Sequence, residues 1–146
     1  MAVSAAVEQR RATGRWVLLA SAVVAVAIHL WGLYRPVGPP IPLWFPAADK
    51  VEHLIGFAAP LLLILLSRRS FLRARRRTLP RSSVVALTCL VAVNGVVSEL
   101  YQSAFLPSRS GDPLDTAADW VGCAVGVCCY LLVERRQTGR APRSSP

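Results

Sequence analysis

The residues of this chain that could do chemistry lie in two short stretches. Asp49, Lys50, Glu52 and His53 occupy one, and Glu99, Gln102, Arg109, Asp112, Asp115 and Asp119 the other. Both stretches border long apolar runs, where ionisable side chains are costly and mark functional sites. Carboxylates beside a histidine can carry protons or accept hydrogen bonds from a ligand, and an arginine among them can hold a phosphate or carboxylate. A metal site from His53, Glu99, Asp115 and Asp119 is chemically available. No His-Glu-x-x-His or comparable ligand pair fixes one, so neither a metal nor a cofactor is expected. Nucleophilic hydrolysis has no Ser or Cys elbow to support it.

The elements that position these residues belong in lipid. Of 146 residues, 53% are hydrophobic and 17% charged, against about 25% charged in soluble domains. Mean hydropathy is +0.43. Apolar runs at 16–34, 51–66, 84–101 and 114–133 predict an all-α integral membrane bundle of four transmembrane helices. The first run has nineteen residues, about 28 Å of helix, close to the hydrocarbon thickness. It is longer than a signal-peptide core and lacks an Ala-x-Ala end, so it is read as a retained helix. The second run is short and spans only if residues 47–50 extend it; Pro60 introduces a kink that neighbouring helices tolerate. The segment 35–50 holds five prolines with Trp44 and Phe45, a composition suited to a loop on the headgroup boundary.

The net charge of +9 does not point to nucleic acid. Its arginines cluster between apolar runs, with no zinc spacing or RNA-binding aromatic motif nearby. Fourteen of the seventeen basic residues lie in the leader, in the 67–81 segment or in the tail. The positive-inside rule therefore puts both termini in the cytoplasm of a multi-pass cell-membrane protein. Residues 1–15 are expected to be a disordered basic leader and 135–146 a disordered basic tail, with 16–134 as the membrane domain. Cys89, Cys123, Cys128 and Cys129 read as small apolar filler.

This topology brings six of the eight acids and His53 to the outer end of the bundle, with His29 near the same level. Asp112, Asp115, Asp119, Gly122 and Gly126 recur at three- and four-residue steps, one stripe of a helix. Gly122 and Gly126 permit close approach of another helix. Asn94, Ser98 and Gln102 form a polar stripe with Glu99 at its border, and Asp49, His53 and Gly56 share a face. The candidate binding residues are His53, Glu99, Gln102, Arg109, Asp115 and Asp119. Structural roles fall to Asp49 and Lys50 as a headgroup anchor, Gly56, Gly122 and Gly126 in packing, and Asp112 as the N-cap before Pro113. Each acid has a plainer use in holding helices together, and Arg109 in neutralising them.

The segments Asp49-Lys50-x-x-His53-x-x-Gly56-Phe57 and Glu99-x-x-Gln102, followed by Pro107, Arg109, Asp112, Asp115, Asp119, Gly122 and Gly126, resemble the bacterial VanZ-like membrane proteins. The family pattern is Asp-Lys-x-x-His-x-x-Gly-Phe, then Glu-x-x-Gln, then Arg-x-x-Asp-x-x-Asp-x-x-x-Asn-x-x-Gly. The resemblance covers residues 48–126 and departs at Asp119, where the family usually has Asn. It implies a small helical protein of the bacterial envelope. The family takes its name from a member linked to low-level resistance to the glycopeptide teicoplanin, which is not a mechanism. The expected partners are membrane lipids and a polar or anionic envelope ligand such as a lipid-linked precursor headgroup. Two other readings stay open: an intramembrane enzyme using His53 and carboxylates for acid–base chemistry on a lipid, and a structural or partner-binding protein.

Overall fold

A computed structural model describes residues 2–36, 47–107 and 111–138. Arg109, the loop residues 37–46 with Trp44 and Phe45, and the tail from 139 lie outside the described residues. The secondary structure of the described residues is all helix: α1 (Ala2–Tyr34), α2 (Ala48–Ala74), α3 (Arg81–Phe105) and α4 (Pro113–Thr138). Each is long and apolar enough to cross a membrane.

The helices outrun the apolar segments. α1 begins at Ala2, so the leader expected to be disordered is helical over residues 2–15. Ala5, Ala6, Glu8, Gln9, Arg10 and Arg11 are good helix formers, and adding turns to a nucleated helix costs little. The same logic carries α4 through Arg135 and Arg136 to Thr138, into the expected tail. α2 reaches back to Ala48, the extension its short apolar run required, and continues through Pro60 to Ala74. It then stops in a C-terminal turn in which the Arg77 and Arg76 N–H groups return to the Leu72 and Arg73 carbonyls, both at 2.9 Å. This turn puts Arg76 at a φ of 55°, a left-handed conformation that suits glycine better.

Side-chain pairings establish the helix directions. Trp16 meets Phe71 and His29 meets Phe57, so α1 and α2 are antiparallel. Lys50 meets Asp112 at one end and Arg73 meets Gln137 at the other, so α2 and α4 are parallel. Glu99 meets Asp112 and Ala92 meets Trp120, so α3 runs against α4.

Two glycines bring α2 and α4 together. A Cβ on Gly122 would collide with the Leu54 carbonyl, and one on Gly126 would lie 2.8 Å from the Ala58 carbonyl oxygen. Around this seam, Phe57, Leu61, Leu65, Cys123 and Tyr130 form the core, with Leu33 and Leu79. Large apolar side chains such as Ile28, Trp31, Leu90, Phe105 and Leu132 are exposed, while Ser98, Glu99, Gln102, Asp115 and Asp119 are buried. That inversion of the water-soluble pattern is what a bilayer solvent selects.

Candidate functional site

The polar site lies where α2 and α4 begin and α3 ends. α4 starts on its own cap: the Asp112 Oδ1 accepts the Leu114 N–H at 2.8 Å, with Pro113 in the first helical position. Three- and four-residue steps then put Asp115 and Asp119 on one face, toward α2 and α3. α2 supplies Asp49, Lys50 and His53 from its first two turns. α3 supplies Glu99 from its last turns, and the loop folds back onto it: the Asp112 N–H donates to Glu99 Oε2 at 2.8 Å. Gly111 N–H donates to Ser103 Oγ at 3.0 Å. A Cβ on Gly111 would stand 2.6 Å from the Glu99 carbonyl oxygen, so only glycine fits this turn.

Two layers follow. Nearer the helix ends, the Lys50 ammonium donates to Asp49 Oδ2 at 2.8 Å, Asp112 Oδ2 at 2.6 Å and Asp115 Oδ1 at 2.5 Å. Its three N–H donors are matched one to one by three carboxylates, a charge-assisted set that ties α2 to α4. The ammonium also holds the Asp112 carboxyl below its ordinary range, with help from the Leu114 N–H.

One turn deeper, His53 Nδ1 lies 2.8 Å from Asp119 Oδ1, and His53 Nε2 lies 3.8 Å from Asp115 Oδ2. Asp119 has no exposed surface and Glu99 only 7%. Asp119 Oδ2 and Glu99 Oε1 are buried with no hydrogen-bond partner. His53, Glu99 and Asp119 each offer a donor atom, all within 4.8 Å of one another. The second acidic group, Asp49, Asp112 and Asp115, is already filled by Lys50.

The structure thus brings His53, Glu99, Asp115 and Asp119 together from three helices. Gln102 does not join them: its amide donates to the Leu33 carbonyl at 3.2 Å, fastening α3 to α1. Asn94 likewise accepts from Tyr34 Oη at 2.9 Å. Gly56 lies under α1, where a Cβ would be 3.5 Å from His29 Nδ1. Lys50, expected as a headgroup anchor, is the cation that the three carboxylates of the layer nearer the helix ends surround. Gly95 had no assigned part, yet its bare backbone makes room for Asp119, since a Cβ there would stand 2.7 Å from Asp119 Oδ2. Its one sequence signal is its place one turn before Ser98 and Glu99 on the polar stripe.

At the arginine-rich end, Arg69, 5% exposed, faces Glu134 at 3.6 Å. That pair, with Arg73 and Gln137, closes the same α2–α4 seam.

Chemically, the deep layer is a largely enclosed imidazole oriented by one carboxylate, with a second carboxylate alongside. Such a set can accept hydrogen bonds, carry a proton or ligate a cation. No family model, curated protein or solved structure matches this chain.

Proposed function

We propose that this chain is a VanZ-like multi-pass protein of the bacterial cell membrane, with both termini cytoplasmic, whose polar end binds the headgroup of an envelope ligand. The observation that carries the reading is the meeting of His53, Glu99, Asp115 and Asp119 at the end opposite the arginine-rich α2–α3 link. Among the described residues, twelve of the fourteen basic ones belong to the other end, which supports an outward orientation for the polar one. Glu99, Asp115, Asp119 and His53 accept hydrogen bonds from hydroxyl, amide or ammonium groups of the headgroup. Arg109, outside the described residues, is the candidate partner of its anionic part. A lipid-linked cell-wall precursor has both kinds of group, and the teicoplanin connection of the resembled family belongs to the same envelope chemistry.

Binding of a polyprenyl diphosphate-linked sugar to the protein in nanodiscs tests this. Saturable binding lost in His53→Ala and Glu99→Ala, together with reporter fusions placing both termini inside, is the expected result. Binding that both variants retain, or termini outside, refutes it.

A second reading draws on the His53–Asp119 contact of 2.8 Å. A carboxylate on Nδ1 fixes the tautomer and leaves Nε2 as a general base, the arrangement an acid–base enzyme on a lipid substrate needs. Turnover by purified protein, with a pH profile displaced in Asp119→Asn, distinguishes it from binding alone.

A further inference from the structure

We propose that His53, Glu99 and Asp119 form a site for one divalent transition-metal ion, such as Zn²⁺, between α2, α3 and α4. The proposal goes beyond the headgroup reading and does not depend on it.

The donor atoms come first. Each of the three helices contributes one ligand, and the three atoms lie within 4.8 Å of one another. Around a tetrahedral zinc with bonds of about 2.0–2.2 Å, ligand atoms stand about 3.3–3.6 Å apart. The three atoms stand no more than 4.8 Å apart, a gap that side-chain rotation toward an ion would narrow. One imidazole nitrogen with two carboxylate oxygens is a zinc-type set, and it leaves a fourth position for water or a ligand oxygen.

Burial points independently to a cation. Asp119 is fully buried and Glu99 is 7% exposed. Asp119 Oδ2 and Glu99 Oε1 have no hydrogen-bond partner. The great majority of buried polar atoms are satisfied, because each unmet one costs its desolvation. The neighbouring acidic trio makes the contrast: three carboxylate oxygens there surround the Lys50 ammonium at 2.5–2.8 Å. The deeper pair of carboxylates has a histidine and no lysine. A dication would supply both oxygens with a partner and offset the two charges at once.

The surroundings have the form of a metal site's outer shell. With Nδ1 turned from Asp119 Oδ1, now 2.8 Å away, to serve as the ligating nitrogen, His53 Nε2–H faces Asp115 Oδ2 at 3.8 Å, which a small rotation turns into the carboxylate–histidine–metal arrangement. Glu99 is anchored through Oε2 by the Asp112 N–H at 2.8 Å, leaving Oε1 for the ion. Asp115 is itself held by Lys50.

The test uses the full chain purified in detergent without a histidine tag, stripped with chelator and titrated with ZnCl₂. The expected result is one zinc per chain by elemental analysis. Outer-shell losses alone weaken metal binding about 10–100-fold, so Glu99→Gln and Asp119→Asn are expected to weaken it about 100-fold or more. Replacement of all four cysteines with alanine is expected to leave stoichiometry and affinity unchanged. Co²⁺ loading of the wild-type chain adds a readout that needs no variant, with visible bands of low-coordinate cobalt expected. Zinc retained in both carboxylate variants, zinc lost with the cysteines, or no stoichiometric zinc on the wild type overturns the proposal. So does a cobalt spectrum like that of the hydrated ion.

Discussion

Replacing Lys50 with methionine removes the cation at the centre of the outer layer while keeping most of the length of its unbranched stem. Its three partners are not equal. Asp49 and Asp112 side chains are 43% and 38% exposed, so solvent screens their share heavily. Asp115, 13% exposed and 2.5 Å from the ammonium, carries the weight. A charge-assisted bond of that kind contributes about 1.5–3 kcal/mol. Breaking a buried pair from one side costs about 3–5 kcal/mol, because the orphaned charge stays behind. With Lys50 itself 23% exposed, the expected loss in Lys50→Met is at the low end of that range, about 3 kcal/mol. Adding Asp115→Asn removes the orphaned charge, so the double variant should be more stable than the sum of the single losses implies. A coupling energy of about 2 kcal/mol is expected from the four-member cycle, measured by reversible unfolding in mixed detergent–SDS micelles. Coupling below about 0.5 kcal/mol, the value of an exposed pair, would refute the reasoning.

Glycine-to-alanine changes at Gly122 and Gly126 of the α2–α4 seam and at Gly32 of α1 should rank by what the new methyl meets. Gly122→Ala strikes the Leu54 backbone carbonyl, which cannot step aside, and should cost about 1–3 kcal/mol. Gly126→Ala, 2.8 Å from the Ala58 oxygen, should cost less, and Gly32→Ala, with nothing within 4 Å of its Cβ, should be neutral or gain up to about 1 kcal/mol from helix propensity. Thermal melting of the three purified variants checks the order. Stability should also have an acid limb from Asp112. Its carboxyl is depressed in the folded chain, foremost by Lys50. A depressed acid stabilises above its ordinary value of 3.8 and loses that contribution as pH falls through the folded value. Melting temperature should therefore drop below about pH 4, and Asp112→Asn should flatten part of that drop.

Much of the architecture is present in the amino-acid order. Apolar runs near the length of a bilayer specify four helices, and the Asp112–Pro113 pair marks the start of α4 because both residues satisfy a helix N-terminus locally. The three- and four-residue steps from Asp112 to Gly126 define one face, since a helix repeats every 3.6 residues whatever it packs against. Helix ends were less legible: polar helix formers such as Arg10, Arg11 and Arg135 look like loop by hydropathy but extend a nucleated helix.

Which atoms meet was decided by packing alone. Periodicity says that His53 and Asp119 each face inward, but not that they touch, nor that Gln102 turns to the Leu33 carbonyl and Lys50 to three acids. Those pairings depend on the rotation and depth of each helix relative to its neighbours. Contacts distant in sequence set both, chiefly Gly122 on Leu54, Gly126 on Ala58 and Gly95 beside Asp119. A helix's own period carries no information about its partner, so only close-packed backbones could choose the register in which these charges meet.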